Sequence, residues 1–195
     1  ATQVGTIKPG DIKYRDLNGD NRINGDDKVV IGSTIPRYTF GLNIGANYKG
    51  IDLSMFFQGV GKADGYLQGP GIVPFVSGES VGGTVLEEHK DYWTENNRNA
   101  AYPRLAFNES NNNQVSTFWL KDASYLRLKN LQVGYTLPVN LTKKWGINHL
   151  RFFANGTNLF TLDKFWKGYN VEAPTGMVNF YPQVKVYSFG LEVKF

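Results

Sequence analysis

Residues 37–49, RYTFGLNIGANYK, alternate apolar with polar or small side chains without interruption, and this run limits the fold more than any other part of the chain. Successive side chains of a strand point to opposite faces. Tyr38, Phe40, Leu42, Ile44, Ala46 and Tyr48 therefore share one face, and Arg37, Thr39, Gly41, Asn43, Gly45, Asn47 and Lys49 share the other. A strand of a soluble sandwich usually spans about 5 or 6 residues. At about 3.3 Å per residue and a tilt of about 45°, this one projects to about 30 Å, the thickness of a bilayer's hydrocarbon core. Its tyrosines fall near both ends, where interfacial aromatic girdles form.

A tight turn at YKGID leads into IDLSMFFQGVG, which resumes the alternation through Ile51, Leu53, Met55 and Phe57 and completes a hairpin. A third strand, SYLRLKNLQVGYTLP, alternates through Leu131, Val133, Tyr135 and Leu137. Leu126 and Leu128 fall out of phase with these, which calls for a bulge or a rim position near Lys129. The faces of LRFFANGTNLFTL are less clearly divided. The closing strand sets Tyr187, Phe189, Leu191, Val193 and Phe195 on one face, to the final residue. The expected strands are thus about 37–49, 51–62, 124–137, 150–162 and 184–195. The aromatic share of 14% and the 22 glycines fit an all-β chain with many turns.

Residues 65–120 dissolve into Gly, Pro, Ser and Asn, with one short candidate helix at TVLEEHKDYW. Such an excursion is unusual inside a compact domain and ordinary for the outer loop of a membrane barrel. Short connections fall near residue 50 and at 138–148, and long ones at 1–36, 65–120 and 164–183. Short periplasmic turns and long extracellular loops are the rule for such barrels, so Phe195 is placed on the periplasmic side. Five strands cannot close a barrel, and an open sheet edge in lipid leaves backbone groups unpaired. The expected fold is therefore a transmembrane antiparallel β-barrel, of which these are the C-terminal five strands. The opening ATQVGTIKPG carries neither Met nor a basic-then-apolar leader, in keeping with a portion of a longer protein.

No run of about 18 apolar residues is present to form a transmembrane helix. The chain has no cysteine, which removes disulfide staples and thiolate chemistry. Its net charge of +4 is scattered through alternating segments and not gathered into a patch, so no nucleic-acid partner is expected.

DLNGDNRINGDD carries the spacing of a calcium loop. Asp16, Asn18, Asp20, Asn24 and Asp27 stand at positions 1, 3, 5, 9 and 12, with the carbonyl of Arg22 at position 7. Hard oxygen donors in that order suit a structural Ca²⁺. The loop resembles the EF-hand-like loop of dockerin modules, including Asp at its last position, although Asn21 replaces the usual glycine and no helices flank it. Asn tolerates left-handed backbone. The competing expectation is an Asx-rich turn without metal.

Longer runs resemble one family. These are PGDIKYRDLNGDNRINGDDKVVIGSTIPRYTFGLNIGANYKGIDLSMFFQG, YWTENNRNAAYPRLAFNESNNNQVSTFWLKDASYLRLKNLQVGYTLP, and the closing FFANGTNLFTLDKFWKGYNVEAP with YPQVKVYSFGLEVKF. Together they cover nearly all of the chain, which is similar to the SusC/RagA outer-membrane transporters, TonB-dependent importers of Bacteroidetes-type Gram-negative bacteria. TENNRNA departs from the family's pattern, which has proline after the first Asn, and this is a loop variation. The resemblance implies a barrel of twenty-two strands with an N-terminal plug in the cell outer membrane, surrounded by outer-membrane lipid. It also implies a SusD-like surface lipoprotein as cap, an oligosaccharide or peptide as cargo, and TonB acting through an N-terminal part not in this sequence. Tyr187, Phe189, Leu191, Val193 and Phe195 look like the family's signal to the barrel-assembly machinery.

Tyr66, Trp93 and Tyr102, with Phe107, are candidates for sugar-stacking platforms or a landing surface for the lipoprotein, against packing of the loop on the barrel rim. Catalysis has little support. His89 and His149 stand in no HExxH arrangement and beside no recognisable nucleophile, and Glu87, Glu88 and Asp91 read as the wet side of a short helix. The chain is therefore expected not to be an enzyme. The rival expectations are a soluble calcium-dependent glycan-binding β-domain and an outer-membrane enzyme using His89 with Glu87 and Glu88.

Overall fold

The computed structural model describes residues 1–69, 72–75, 85–107, 110–173, 176 and 180–195. In chain order its strands are β1 (Tyr38–Tyr48), β2 (Ile51–Gly61), β3 (Asp64–Tyr66), β4 (Leu120–Asp122), β5 (Tyr125–Thr136), β6 (His149–Asp163) and β7 (Val186–Lys194), with one helical turn, α1 (Val139–Thr142), between β5 and β6. The chain divides into two compact units. One comprises Ser33–Asp64, Asp122–Glu172 and Tyr181–Phe195, and the other Ala1–Gly32, Gly65–Lys121 and Ala173–Phe180.

The first unit is built on a five-stranded sheet in the order β1-β2-β5-β6-β7, antiparallel throughout. Its register sorts the side chains without exception in β1, and in β7 from Tyr187 onward. Leu42 opposes Phe57 and Ile44 opposes Met55, while Phe152 opposes Leu191 and Ala154 opposes Phe189. All of these lie on one apolar face. Asn43, Ser54, Gln132, Asn155 and Glu192 belong to the other face by the same period of two.

The phase break near Lys129 is a bulge. Leu128 pairs with Phe57 and Asn130 with Phe56, leaving Lys129 as the extra residue. The shift returns Leu126 and Leu128 to the apolar face of Leu131 and Val133. On β6 the step is wider: Thr157 pairs with Asn130 and Phe160 with Leu128, so Asn158 and Leu159 are both extra. Asn158 takes φ 54, in the left-handed region that Asn tolerates. Phe160 consequently reaches Phe57 edge-on, with ring centroids 6.4 Å apart. The alternation of β6 is hard to read in the sequence because Phe153 stands on the polar phase and Gly156 on the apolar one.

Glycines receive aromatic rings from the neighbouring strand on both faces. A Cβ at Gly59 would come within 2.6 Å of Phe40 Cε1, and one at Gly190 within 2.6 Å of Phe153 Cε1. The rings thus lie over the glycine backbone, a packing that replaces the absent side chain.

A small core of Ala63, Ala123, Tyr125 and Val171, with Val60 and Phe165 against it, closes the long-connection end of this sheet. The other unit has its own interior, in which Leu67, Ile72 and Trp119 are each 1% exposed. There Asp11, with 1% of its side chain exposed, holds Arg104 Nε at 2.7 Å and accepts from Asn112 Nδ2 at 2.8 Å. Tyr14 Oη donates to Asn111 O at 2.6 Å, and burial pushes its hydroxyl up to about 12.

Two expectations need correction. The stretch TVLEEHKDYW forms a 3₁₀ turn at Glu87–Lys90 in place of a helix, with Thr84 outside the described residues. The short strands β3 and β4, which pair as a second sheet, have no counterpart in the five expected strands. At three residues each they are too short to show a period.

Candidate functional site

The apolar face of the five-stranded sheet is open to its surroundings. Every residue of β1 is exposed, its apolar ones included. Phe189 is 84% exposed and Leu191 56%. Water does not favour a continuous surface of this kind, and lipid does. Tyr187, Phe189, Leu191 and Val193 lie on this face, on an edge strand, and Phe195 follows the strand at 86% exposure.

The polar face carries an ion pair that spans a strand. Arg151 on β6 donates through Nε and Nη2 to Asp52 on β2, at 2.9 and 2.6 Å. Between them lies Gly134 of β5, where a Cβ would meet both groups. Bidentate pairing of this kind fixes orientation as well as charge.

At the long-connection end, Arg127 organises the return from β6 to β7. Its side chain is only 4% exposed. Nε donates to Thr161 Oγ1 at 2.7 Å, Nη2 to Asn170 Oδ1 at 2.9 Å, and Nη1 to Glu172 and Gln183. Lys129, the bulged residue, adds a bond to Glu172 Oε2 at 3.0 Å. Arg127 stands on the polar face, since its neighbour in register is Thr161. Asn170, Glu172 and Gln183 are thereby fastened to the polar face of β5. Burial pushes the Glu172 carboxyl up, but hydrogen bonds from Tyr125 and Lys129 and the charges of Arg127 and Lys129 outweigh it and hold the group below its usual range.

The loop of Asp16–Asp27 folds around its own carboxylates. Asp16 accepts from the N–H groups of Gly19 at 2.7 Å and Asn21 at 2.9 Å. Asp27 accepts from Leu17 at 2.7 Å and Asn24 at 2.9 Å, and those two N–H groups hold its carboxyl below the usual range. Asp20 Oδ2 receives the amides of Asn18 and Asn24 at 3.3 and 3.4 Å. Asn21 takes φ 66, the conformation for which a glycine would otherwise be needed. The donor atoms are hard oxygens, as calcium requires. Among the described residues, however, no three Asp, Glu or His side chains converge into a metal cluster.

The candidate aromatic residues have different surroundings. Tyr102, 5% exposed, packs on His89 with ring centroids 4.8 Å apart and near Trp119 at 6.2 Å. Its ring belongs to the interior of its unit, as the packing alternative expects. Trp93 is half-buried with Gly10 beneath it: a Cβ there would stand 3.0 Å from Trp93 Cζ3. Tyr66 is half-buried, and burial raises its hydroxyl. Phe107 is exposed and lies 5.7 Å from Phe75.

His89 is 1% exposed. Its Nδ1 accepts from the N–H of Leu86 at 3.1 Å, so Nε2 carries the proton and donates to Ile72 O at 3.1 Å. Both nitrogens are engaged with backbone, and burial pulls the ring's pKa down. Beside it lies an open cleft of about 410 Å³, lined by Val85, Leu86, Tyr92 and Leu105 with Glu87 and Lys90.

Sequence reasoning missed Arg127, Glu172 and the Asp52–Arg151 pair. The signal available was a charged residue on the polar phase of a long strand. Its partner, in another strand or loop, could be named only once the register was known.

No family model matches the chain. It is 29% identical to the TonB-dependent receptor P3 of Formosa agariphila over all of its own length, and 30% identical to receptor P26 of the same organism over 95%. The TonB-dependent receptor SusC of Bacteroides thetaiotaomicron is 26% identical over 96% of the chain. In each case the chain spans about a fifth of the relative's length, 20, 20 and 18% respectively. Among solved structures, the RagAB peptide importer in its open-open state matches 85% of this chain and 18% of its own with a TM-score of 0.66 at 28% identity. The closed-closed state matches equally well, at 0.66 and 29%. The open antiparallel sheet, its outward apolar face and these relatives agree: the chain belongs to the SusC/RagA-type family of TonB-dependent receptors.

Proposed function

We propose that this chain forms five adjacent wall strands and the associated outer loops of an outer-membrane importer of oligosaccharides or peptides. The observation that carries the reading is the exposed apolar face set against a hydrogen-bonding polar face. Lipid covers Phe40, Leu42 and Leu191, while Asn43, Gln132 and Asn155 face the solute path, where amides donate to and accept from either cargo. The short connections at Lys49–Gly50 and 137–148 face the periplasm, and the long ones face outward. A SusD-like lipoprotein engages the outward loops, and TonB supplies energy through a part outside this chain. The wall strands are assigned a transport role, and His89, in the other unit, serves as a backbone clasp.

The decisive experiment places nitroxide labels in the intact receptor at Leu42 and Leu191 and at Asn43 and Glu192. The first pair is expected to be accessible to oxygen dissolved in lipid and the second to a water-soluble relaxant. Labels at Leu42 and Leu191 reporting water would favour the rival, a soluble calcium-dependent glycan-binding β-domain, and that protein would also stay in buffer without detergent.

Calcium in the Asp16–Asp27 loop is part of the proposal. Asp16, Asn18, Asp20, Asn24 and Asp27 would hold it with the Arg22 carbonyl, and it would neutralise three carboxylates that now rest on backbone N–H groups. Support comes from the donor chemistry and from the backbone at Asn21. Chelation is expected to loosen the loop and leave the barrel folded. A calorimetric titration without heat at calcium on the order of 1 mM would end this part.

A further inference from the structure

After β5 the sequence PVNLTKKWG forms α1 and then a 3₁₀ turn at Lys143–Trp145, closed by Gly146 at φ 71. Thr142 is its inward residue, fully buried, with its hydroxyl donating to Val139 O at 3.3 Å. The other large residues look outward: Val139 is 49% exposed, Leu141 59% and Trp145 68%. Lys143 and Lys144 are exposed and form no ion pair among the described residues. An aqueous turn gains nothing from exposing a tryptophan beside two aliphatic residues. An interface between water and lipid accommodates all five, with the indole at headgroup level and the lysine stems reaching toward phosphate.

This turn adjoins a second basic-aromatic turn. The N–H of Thr136 donates to Gly50 O at 2.7 Å, and there Lys49 Nζ lies 5.1 Å from the centre of the Tyr48 ring. Tyr48 and Tyr135 are exposed members of the apolar face, so the rim continues that face without a break. The carboxylates at this end are engaged, Asp52 with Arg151 and Glu192 with Lys194 at 3.2 Å. Lys49, Lys143 and Lys144 therefore leave the rim with uncompensated positive charge next to an apolar belt.

We propose that the short-connection rim binds the anionic headgroups of phospholipids in the adjoining leaflet, with the Val139–Trp145 turn as its membrane anchor. The proposal rests on the reading that lipid covers the apolar face, and it adds a chemical preference at one edge. Phospholipid is the occupant because the charge is contiguous with apolar side chains. A free anion would use the lysines and leave Val139, Leu141 and Trp145 uncovered.

The test uses the full-length receptor in nanodiscs of phosphatidylcholine with a minor share of phosphatidylglycerol. Phosphatidylglycerol retained on extraction is counted by native mass spectrometry, and nitroxides at Leu42→Cys and Trp145→Cys report depth. Removing Lys143 and Lys144 as the Gln variants is expected to lower retention by about fivefold per lysine, with the label at 145 at headgroup depth and the label at 42 in hydrocarbon. Lys143→Gln and Lys144→Gln alter only exposed side chains, so folding is preserved if the Trp145 variant fails. Unchanged retention in the lysine variants, or a label at 145 in water with 42 in lipid, overturns this proposal alone. Displacement of the lipid by inorganic phosphate also overturns it, in favour of a simple anion site. A label at 42 in water overturns the wall reading instead.

Discussion

Arg151 grips Asp52 from two strands away, and Gly134 of the intervening strand leaves the space in which they meet. The pair ties β2, β5 and β6 together on the polar face, where water competes for every hydrogen bond. Position 134 is thus fixed by its neighbours' charge.

Gly134→Ala would put a methyl group 2.5 Å from Arg151 Nη2 and 2.6 Å from Asp52 Oδ2. The folded receptor in detergent is expected to unfold at a lower temperature, by the same amount as Arg151→Leu. The double variant should add nothing further, because both changes remove one interaction. Additive losses, read from heat-modifiable electrophoresis, would separate the glycine from the ion pair.

Glu172→Gln removes the only carboxylate that Arg127 and Lys129 engage among the described residues and leaves a buried guanidinium on neutral acceptors. The anchor should weaken by about 3 kcal/mol, seen as faster amide exchange at residues 170–172. Because the folded carboxyl sits below its usual range, the anchor is complete at neutral pH. It is lost only as pH falls below the ordinary glutamate value and through the folded one.

His89 responds in the same direction but at a higher pH. Its folded pKa lies below 6.5, so the neutral ring is kept in the folded loop while an unfolded loop takes up a proton. Exchange protection at Leu86 should be constant above about pH 6.5 and decline as pH falls beneath it. His89→Phe keeps the ring contact with Tyr102, loses both backbone bonds at a cost of about 1–3 kcal/mol, and should abolish this pH dependence.

Asn21→Val tests the calcium loop through its backbone. A β-branched residue at φ 66 should cost about 1–2 kcal/mol and weaken calcium binding, whereas Asn21→Gly should bind at least as well. Equal affinity in both variants, by calorimetry, would show that position 21 does not govern the loop.

Much of the wall was legible because a strand against lipid has a period of two, and nothing else in the chain sustains it. Leu42 and Leu191 could be assigned a face from sequence alone. The phase break at Lys129 was legible as well, since one extra residue inverts the pattern on a single strand. The two extra residues of β6 preserve the phase on either side while displacing the register, so they hide. Arg127 and Glu172 were illegible for a related reason: their bond joins a strand to a loop 45 positions away. Tyr102 stayed open between platform and packing because an aromatic residue in a polar loop has the same sequence signature whether it packs inward or out.

The ring of Phe153 over Gly190 has a consequence for the last hairpin. A glycine on the wet side of a strand exposes its amides to attack by water, and here six carbons shield them. Ala154 and Phe189 stand on the opposite face, so this part of the β6–β7 seam is flanked by apolar atoms on both sides. The hairpin carries its own waterproofing there, and its ladder need not wait for any other element to cover it.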